Sequence, residues 1–352
     1  MSATSLPLLS IILPVYNEAA LLRDHVEQIR EYLISLEARY RWEVLIINDG
    51  STDDTGRIAD ALDAVYDRIR VLHHPTNFGV GQALRFGFVN TLGDYVITLD
   101  VDLSYDVKHI EEMVEKMNEE HAKVVLASPY MQGGSISNVP TLRKILSTWG
   151  NRFLKIFSHG NLSTLTSMVR VYDGPFIRSM DLRSMGLDLM PETLYKAMVV
   201  RAKIVEVPGR LDWGPQLAHG EFRQSSMRVL RQINSTLMSG FVFRPMYFFI
   251  LPGILISLFA MYSTFWMLAH YIESVLTLRS MSAADIETGA FSMAFSKYPH
   301  TYVVGLVAIM LTIQLIGLGV LALQNKRNFE ELYHISATRF HALKQTLNEE
   351  RK

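Results

Sequence analysis

The chain has 352 residues, no cysteine, and 34 basic against 35 acidic side chains, for a formal net charge of -1. That length exceeds one minimal domain and predicts a large domain carrying an appendage. The lack of cysteine excludes disulfides, thiolate zinc sites and cysteine nucleophiles, and the balanced charge excludes the overall basic field of a nucleic-acid binder.

Residues 1–9 lack the basic and apolar regions of a secretory signal, so the amino terminus is expected to stay in the cytoplasm. From 8 to 128, short apolar runs alternate with longer helical patterns, which predicts an α/β fold built on a mostly parallel sheet. Strands are predicted at 8–13, 44–47, 69–72, 95–99 and 124–127, because each run is brief, rich in Ile, Val and Leu, and bounded by polar or turn residues. Helices are predicted at 18–36, 55–66, 80–90 and 107–119. Residues 133–240 are more polar and less regular, with one strand candidate at 204–207, and read as the second half of the same domain.

Residues 245–269 and 301–325 each run about 25 residues without a charge, enough to cross a hydrocarbon core of about 30 Å. They are read as two transmembrane helices; the competing reading is a pair of buried helices in a soluble protein. Arg228, Arg231 and Arg244 precede the first, and Lys326, Arg327, Arg339 and Lys344 follow the second. The connection at 270–300 holds only Arg279 and Lys297 beside Glu273, Asp285 and Glu287. The excess of cations on the flanks places both flanks in the cytoplasm and the connection outside. The expected domains are therefore a cytoplasmic domain at 1–240, a transmembrane hairpin at 241–326 and a cytoplasmic helical tail at 327–352.

In a parallel sheet, ligands bind beyond the carboxyl ends of the strands. The residues there are 14–18 (PVYNE), 48–53 (NDGSTD) and 100–102 (DVD). Two carboxylates one residue apart at a strand end, Asp100 and Asp102, can reach one divalent cation, or a ribose and a cation. Asp49 can accept hydrogen bonds from a base or ribose, Gly50 permits close backbone approach, and Ser51 or Thr52 caps the next helix. Tyr16 offers an aromatic face, and Glu18 stands beside a helix start. Each motif alone also reads as an ordinary turn; their shared placement at one sheet edge is what argues for a site.

PVYNE, NDGSTD, NFGVGQALRFGF and GDYVITLDVD, taken together, resemble the family 2 inverting glycosyltransferases of GT-A fold. The paired apolar spans resemble those of its polyprenol phosphate sugar synthases, such as dolichol phosphate mannose synthase and the bactoprenol glucosyltransferases. The resemblance implies a GT-A catalytic domain that takes a hexose from a nucleotide-diphosphate sugar and gives it, with inversion, to a polyprenyl phosphate in the bilayer. It implies that Pro14, Tyr16, Glu18 and Asp49 hold the nucleotide, that Asp100 meets ribose or metal, and that Asp102 meets the metal, Mg2+ or Mn2+. It also implies an acceptor-phosphate group drawn from Arg143, Ser147, Arg170 and Arg223, with Asp100, Asp102 and Arg143 carrying the chemistry, and Arg210 and Arg228 as further candidate cations. The chain departs from the pattern at Pro129, where an arginine is usual, at Ser104, where a glutamine is usual, and at Met168-Val169-Arg170, where Gly-Phe-Arg is usual. Two alternatives are a processive polysaccharide synthase, whose Gln-x-x-Arg-Trp motif is missing here, and a non-catalytic nucleotide-sugar-binding scaffold. Neither the sugar nor any self-association can be read from the residues.

Overall fold

The structure is a computed structural model, which describes residues 6–139, 162–212, 214, 245–281 and 286–349. It divides into two compact units, Met1–Phe243 with Leu332–Lys352, and Arg244–Glu331.

The first unit is built on a seven-stranded sheet in the order β3-β2-β1-β4-β7-β5-β8. Its strands are β1 (Leu8–Val15), β2 (Arg41–Asn48), β3 (Ile69–His73), β4 (Tyr95–Thr98), β5 (Val124–Ser128), β7 (Arg170–Asp173) and β8 (Ile204–Pro208). All neighbours are parallel except β7, which runs antiparallel to both β4 and β5. β6 (Ser135–Ser137) and β9 (Arg210–Asp212) form a separate parallel pair. β1 and β2 are buried on both faces, which is why their sequences read as continuous apolar runs rather than alternating ones.

Helices α1 (Leu22–Ser35), α2 (Thr55–Val65), α3 (Val80–Asn90) and α4 (His109–Glu120) connect the first five strands. α1 turns Leu22, Val26, Ile29 and Leu33 into the core, one apolar residue per turn. It begins four residues later than the expected 18, because Asn17 adopts a left-handed φ of 56° and the Glu18 carbonyl accepts the N–H groups of Leu21 and Leu22. Glu18 is thereby left in a loop at the strand edge. Two further helices, α5 (Gly174–Ser179) and α6 (Leu189–Val199), lie in the stretch whose sequence showed only one strand.

The second unit holds α7 (Pro245–Ser280), α8 (Ile286–Lys297) and, as far as Glu331, α9 (Pro299–Glu349). The connection expected at 270–300 is thus mostly helical. Candidate spans run over Phe248–Ser280 and Pro299–Ile335, with mean hydropathies of 1.9 and 2.5, and only 17% and 11% of their most apolar windows buried. Leu255, Leu258, Phe265, Ile313 and Leu321 are exposed on these helices, a surface that marks them as candidate membrane spans. α7 and α9 pack closely where side chains are absent: a Cβ on Gly319 would come within 2.7 Å of Ile250.

The turn after β2 needs its glycine. Gly50 has φ 65°, and a Cβ there would lie 2.3 Å from the carbonyl carbon of Thr76. Gly50→Ala is expected to cost at least about 1–2 kcal/mol from the left-handed backbone alone, with the collision added, seen as a lower midpoint in thermal unfolding. An unchanged midpoint would show that the 74–79 segment yields without cost.

Candidate active site

Register puts the three motifs at one level. Ile12 pairs with Thr98 and Pro14 with Ile47, so counting on from Thr98 brings Asp100 level with Pro14 at the carboxyl edge of the sheet. Pro14 is half-buried and Tyr16 is 39% exposed, its ring open to solvent at that edge.

The first two motifs are laced together. The Asn17 N–H donates to Ser51 Oγ at 3.0 Å, Thr52 N–H donates to Asn17 Oδ1 at 2.8 Å, and Glu18 N–H donates to Thr55 Oγ1 at 2.8 Å. Asp53 accepts from Thr55 N–H and Ala19 N–H. Its modest burial would raise its pKa, but these hydrogen bonds outweigh that and hold the carboxyl below its ordinary value.

Asp49 is 3% exposed, and its carboxylate is taken up by the protein. His74 Nδ1 lies 2.7 Å from Oδ1, Phe78 N–H donates to Oδ1 at 3.0 Å, and Gly79 N–H donates to Oδ2 at 2.8 Å. Its observed work is to hold the 74–79 segment against the edge. The His74 ring lies 5.3 Å from Phe78 and 5.1 Å from Phe86, which backs this arrangement with apolar contact.

Past the end of β4 the chain turns sharply. Leu103 takes a left-handed φ of 51°, its N–H donates to the Asp100 carbonyl at 3.3 Å, and Ser104 N–H donates to Asp102 Oδ1 at 2.9 Å. His25 Nδ1 lies 2.7 Å from the Val101 carbonyl, and Asp212 N–H donates to the Ser104 carbonyl at 2.8 Å. Ser104 itself is 5% exposed, and its backbone serves this turn.

The electrostatics of the turn are unfavourable for the isolated protein. Burial first, then the negative charges of Asp102 and Glu18, raise the Asp100 carboxyl well above its ordinary 3.8. Burial is also the main cause that raises the Tyr105 hydroxyl, with Asp100 adding to it. A buried carboxyl whose proton affinity is raised further by two neighbouring carboxylates is a place where a cation lowers the energy. Among the described residues, no group of three or more His, Asp or Glu side chains stands ready to hold a metal by itself. Asp100 and Asp102 fit instead a hard cation that takes its remaining oxygens from water and a phosphorylated ligand.

Arg170 requires a correction. It is fully buried on β7, and its Nε donates to the Ser167 carbonyl at 2.7 Å, Nη1 to the Met190 carbonyl at 2.7 Å and Thr193 Oγ1 at 2.8 Å, and Nη2 to the Leu165 carbonyl at 2.8 Å. Its guanidinium ties the segment before β7 to α6, which removes it from the acceptor-phosphate set. Arg210 is likewise engaged, donating from Nη2 to Glu112 Oε1 at 2.8 Å. Arg143, Ser147, Arg223 and Arg228 lie outside the described residues.

His25, His74 and His109 were not signalled by the sequence. His109 is fully buried, with Nδ1 2.8 Å from Glu112 and Nε2 accepting the Arg210 N–H at 3.1 Å. His25 and His74 meet partners 76 and 25 residues away, and His109, beside its local Glu112, meets Arg210 across 101 residues, contacts that no local pattern marks.

Compared with known proteins, the model of "Glycosyl transferase family 2" matches residues 10–178. An undecaprenyl-phosphate mannosyltransferase of Micrococcus luteus is 30% identical over 203 residues, covering 56% of this chain and 80% of that protein. Glycosyltransferase AglD of Haloferax volcanii is 29% identical over 209 residues, 59% of this chain but 33% of its own length. A dolichyl-phosphate beta-glucosyltransferase, ALG5C, of Trichomonas vaginalis is 28% identical over 145 residues, 39% of this chain and 43% of its own. The chain thus spans less than half the length of the second and third of these relatives.

Two outcomes are expected. The folded state binds a proton at Asp100 more tightly than the unfolded chain does, so this group makes stability fall as pH rises from 3.8 through the raised value. Asp100→Asn should therefore melt above the wild type at neutral pH without divalent cation, and a lower midpoint would contradict the repulsion. Arg170→Met should lose about 2–5 kcal/mol in denaturant unfolding, because it strands buried carbonyls; a loss within about 0.5 kcal/mol, the usual range of a surface change, would contradict the tie.

Proposed function

The chain belongs to glycosyl transferase family 2, and from that footing we propose that it transfers a hexose from a nucleotide-diphosphate sugar to a polyprenyl phosphate, with inversion, at the cytoplasmic face of a membrane. The observation that carries this reading is the acidic turn, where Asp100, Asp102 and Glu18 crowd negative charge at the sheet edge. The printed names of the Micrococcus and Trichomonas relatives share a polyprenyl-type phosphate and differ in the sugar, so the lipid acceptor is proposed and the sugar is left between mannose and glucose. Two exposed apolar helices supply a membrane anchor in the same chain as the acceptor chemistry.

In this mechanism the nucleotide lies along the carboxyl edge. Tyr16 gives its exposed ring as a stacking face, Pro14 and Glu18 line the same edge, and Asp49 keeps the 74–79 segment in place beside it. Asp100 and Asp102 would hold Mg2+ or Mn2+, which neutralises the charge that gathers on a departing diphosphate. An acceptor phosphate is already ionised at neutral pH, so the chain has little general-base work to do and acts by positioning and charge. Arg143 and Ser147, one helical turn apart in the sequence, orient that phosphate, and Arg223 adds positive charge. Both termini are cytoplasmic and the 270–300 connection is external, as the basic flanks favour.

The test uses full-length protein in nanodiscs with undecaprenyl phosphate, Mn2+ or Mg2+, and GDP-mannose or UDP-glucose. A lipid-linked hexose of inverted anomeric configuration is expected, and release of nucleotide without a lipid product would sink the proposal. Asp102→Asn is expected to lower kcat by about 100-fold or more. Arg143→Ala should raise KM for the lipid more than for the donor; equal changes would remove Arg143 from the acceptor site.

A further inference from the structure

We propose that His25 is a positioning residue for the acidic turn, holding the peptide that carries Asp102; this rests on the reading of that turn as the cation and diphosphate site. β4 ends at Thr98, so neither Asp100 nor Asp102 is fixed by a sheet ladder. Within the turn, local bonds reach the Asp100 carbonyl and the Asp102 side chain. The Val101 carbonyl belongs to the peptide plane shared with Asp102 N, and that plane sets where the Asp102 side chain starts. His25 grips this carbonyl at 2.7 Å. A carbonyl only accepts, so the imidazole presents Nδ1–H there.

The grip comes from a rigid element. Val26 and Ile29 beside it are fully exposed to the core and 0% to solvent, and α1 starts where the Glu18 carbonyl accepts the Leu21 and Leu22 N–H groups. One helix therefore sets both the loop bearing Glu18 and the clamp on the peptide before Asp102. On the other side, Asp212 N–H holds the Ser104 carbonyl at 2.8 Å. The turn is pinned on both flanks of Asp102, and only one of the two pins is a side chain.

The pinning matters because like charges at Asp100 and Asp102 favour any rotation that parts them. A peptide locked by His25 resists that rotation before a cation arrives, which is preorganisation of a ligand by its supporting partner. Loss of such a partner weakens metal affinity by about 10- to 100-fold.

His25→Ala removes the donor. His25→Asn keeps an N–H at the same number of bonds from Cα as Nδ1, and His25→Gln sets it one carbon too far. Full-length protein in detergent is titrated with Mn2+ in the presence of GDP and of UDP, with free Mn2+ read by electron paramagnetic resonance, alongside thermal unfolding and the apparent KM for Mn2+ against kcat. The expected result is Mn2+ affinity about 10-fold or more weaker in His25→Ala, mostly recovered in His25→Asn, with the change in KM for Mn2+ exceeding that in kcat. Wild-type Mn2+ affinity in His25→Ala, even with a lowered midpoint, overturns the proposal and leaves His25 a structural residue. If His25→Ala does not fold, equal affinities in His25→Asn and His25→Gln overturn it. A wild type that binds no Mn2+ with either nucleotide overturns the functional reading and this inference with it.

Discussion

Mutual repulsion among carboxyl groups at one sheet edge is the constraint around which the rest of the first unit is arranged. Asp100 is disfavoured as an anion by burial and by its neighbours Asp102 and Glu18, yet the fold delivers all of them there. The β1–β4 register brings the acidic turn level with Pro14, and the left-handed Asn17 keeps Glu18 out of α1. Hydrogen bonds from Asn17 and Glu18 N–H to the hydroxyls of Ser51 and Thr55, and from Thr52 N–H to Asn17, then fasten the first motif to the second and to the start of α2. A protein that spends stability in this way at one place recovers it in the parallel core, where Ile11, Ile12, Val44, Leu45, Ile46 and Ile47 are completely enclosed.

Legibility in the sequence followed the range of the interactions. β1, β2, β4 and β5 were readable because strands covered on both faces must be short unbroken apolar runs, β3 because its brief Ile-Val-Leu content stands between polar segments, and α3 was readable to the residue from its 80–90 pattern. The motif positions followed from the same reading, since ligands gather where such runs stop. What was hidden depended on distant partners. β7 is four residues long, and its place between β4 and β5 is decided by pairing with strands on either side of it, not by its own pattern. The carboxylate of Asp49 looks the same in sequence whether it meets a ligand or the N–H groups of Phe78 and Gly79. Arg170 looks like a phosphate ligand until its carbonyl partners at 165, 167 and 190 are seen.

The second unit is built on a different pattern. Its two long helices present apolar side chains outward and put small residues where they meet, the inverse of the arrangement around the sheet. Length and hydropathy made these helices visible from sequence alone. The helical tail expected from 327 is found as the continuation of α9 to Glu349, whereas the extension of α7 to Ser280 was not visible, because polar residues are equally at home in a helix and in a loop.

The antiparallel insertion of β7 has a consequence for how the polypeptide can be made. β5 pairs only with β7 and β8, both of which follow it in the chain. During synthesis, β5 therefore emerges without either neighbour, while β1, β2 and β3 already have theirs in hand. Until residue 173 has left the ribosome, β4 carries an open margin and β5 is an apolar ribbon with its backbone unsatisfied, both invitations to aggregate. The interval between translating 128 and 208 is thus the most hazardous stretch for this sheet in the nascent chain, and the place where a chaperone has most to protect.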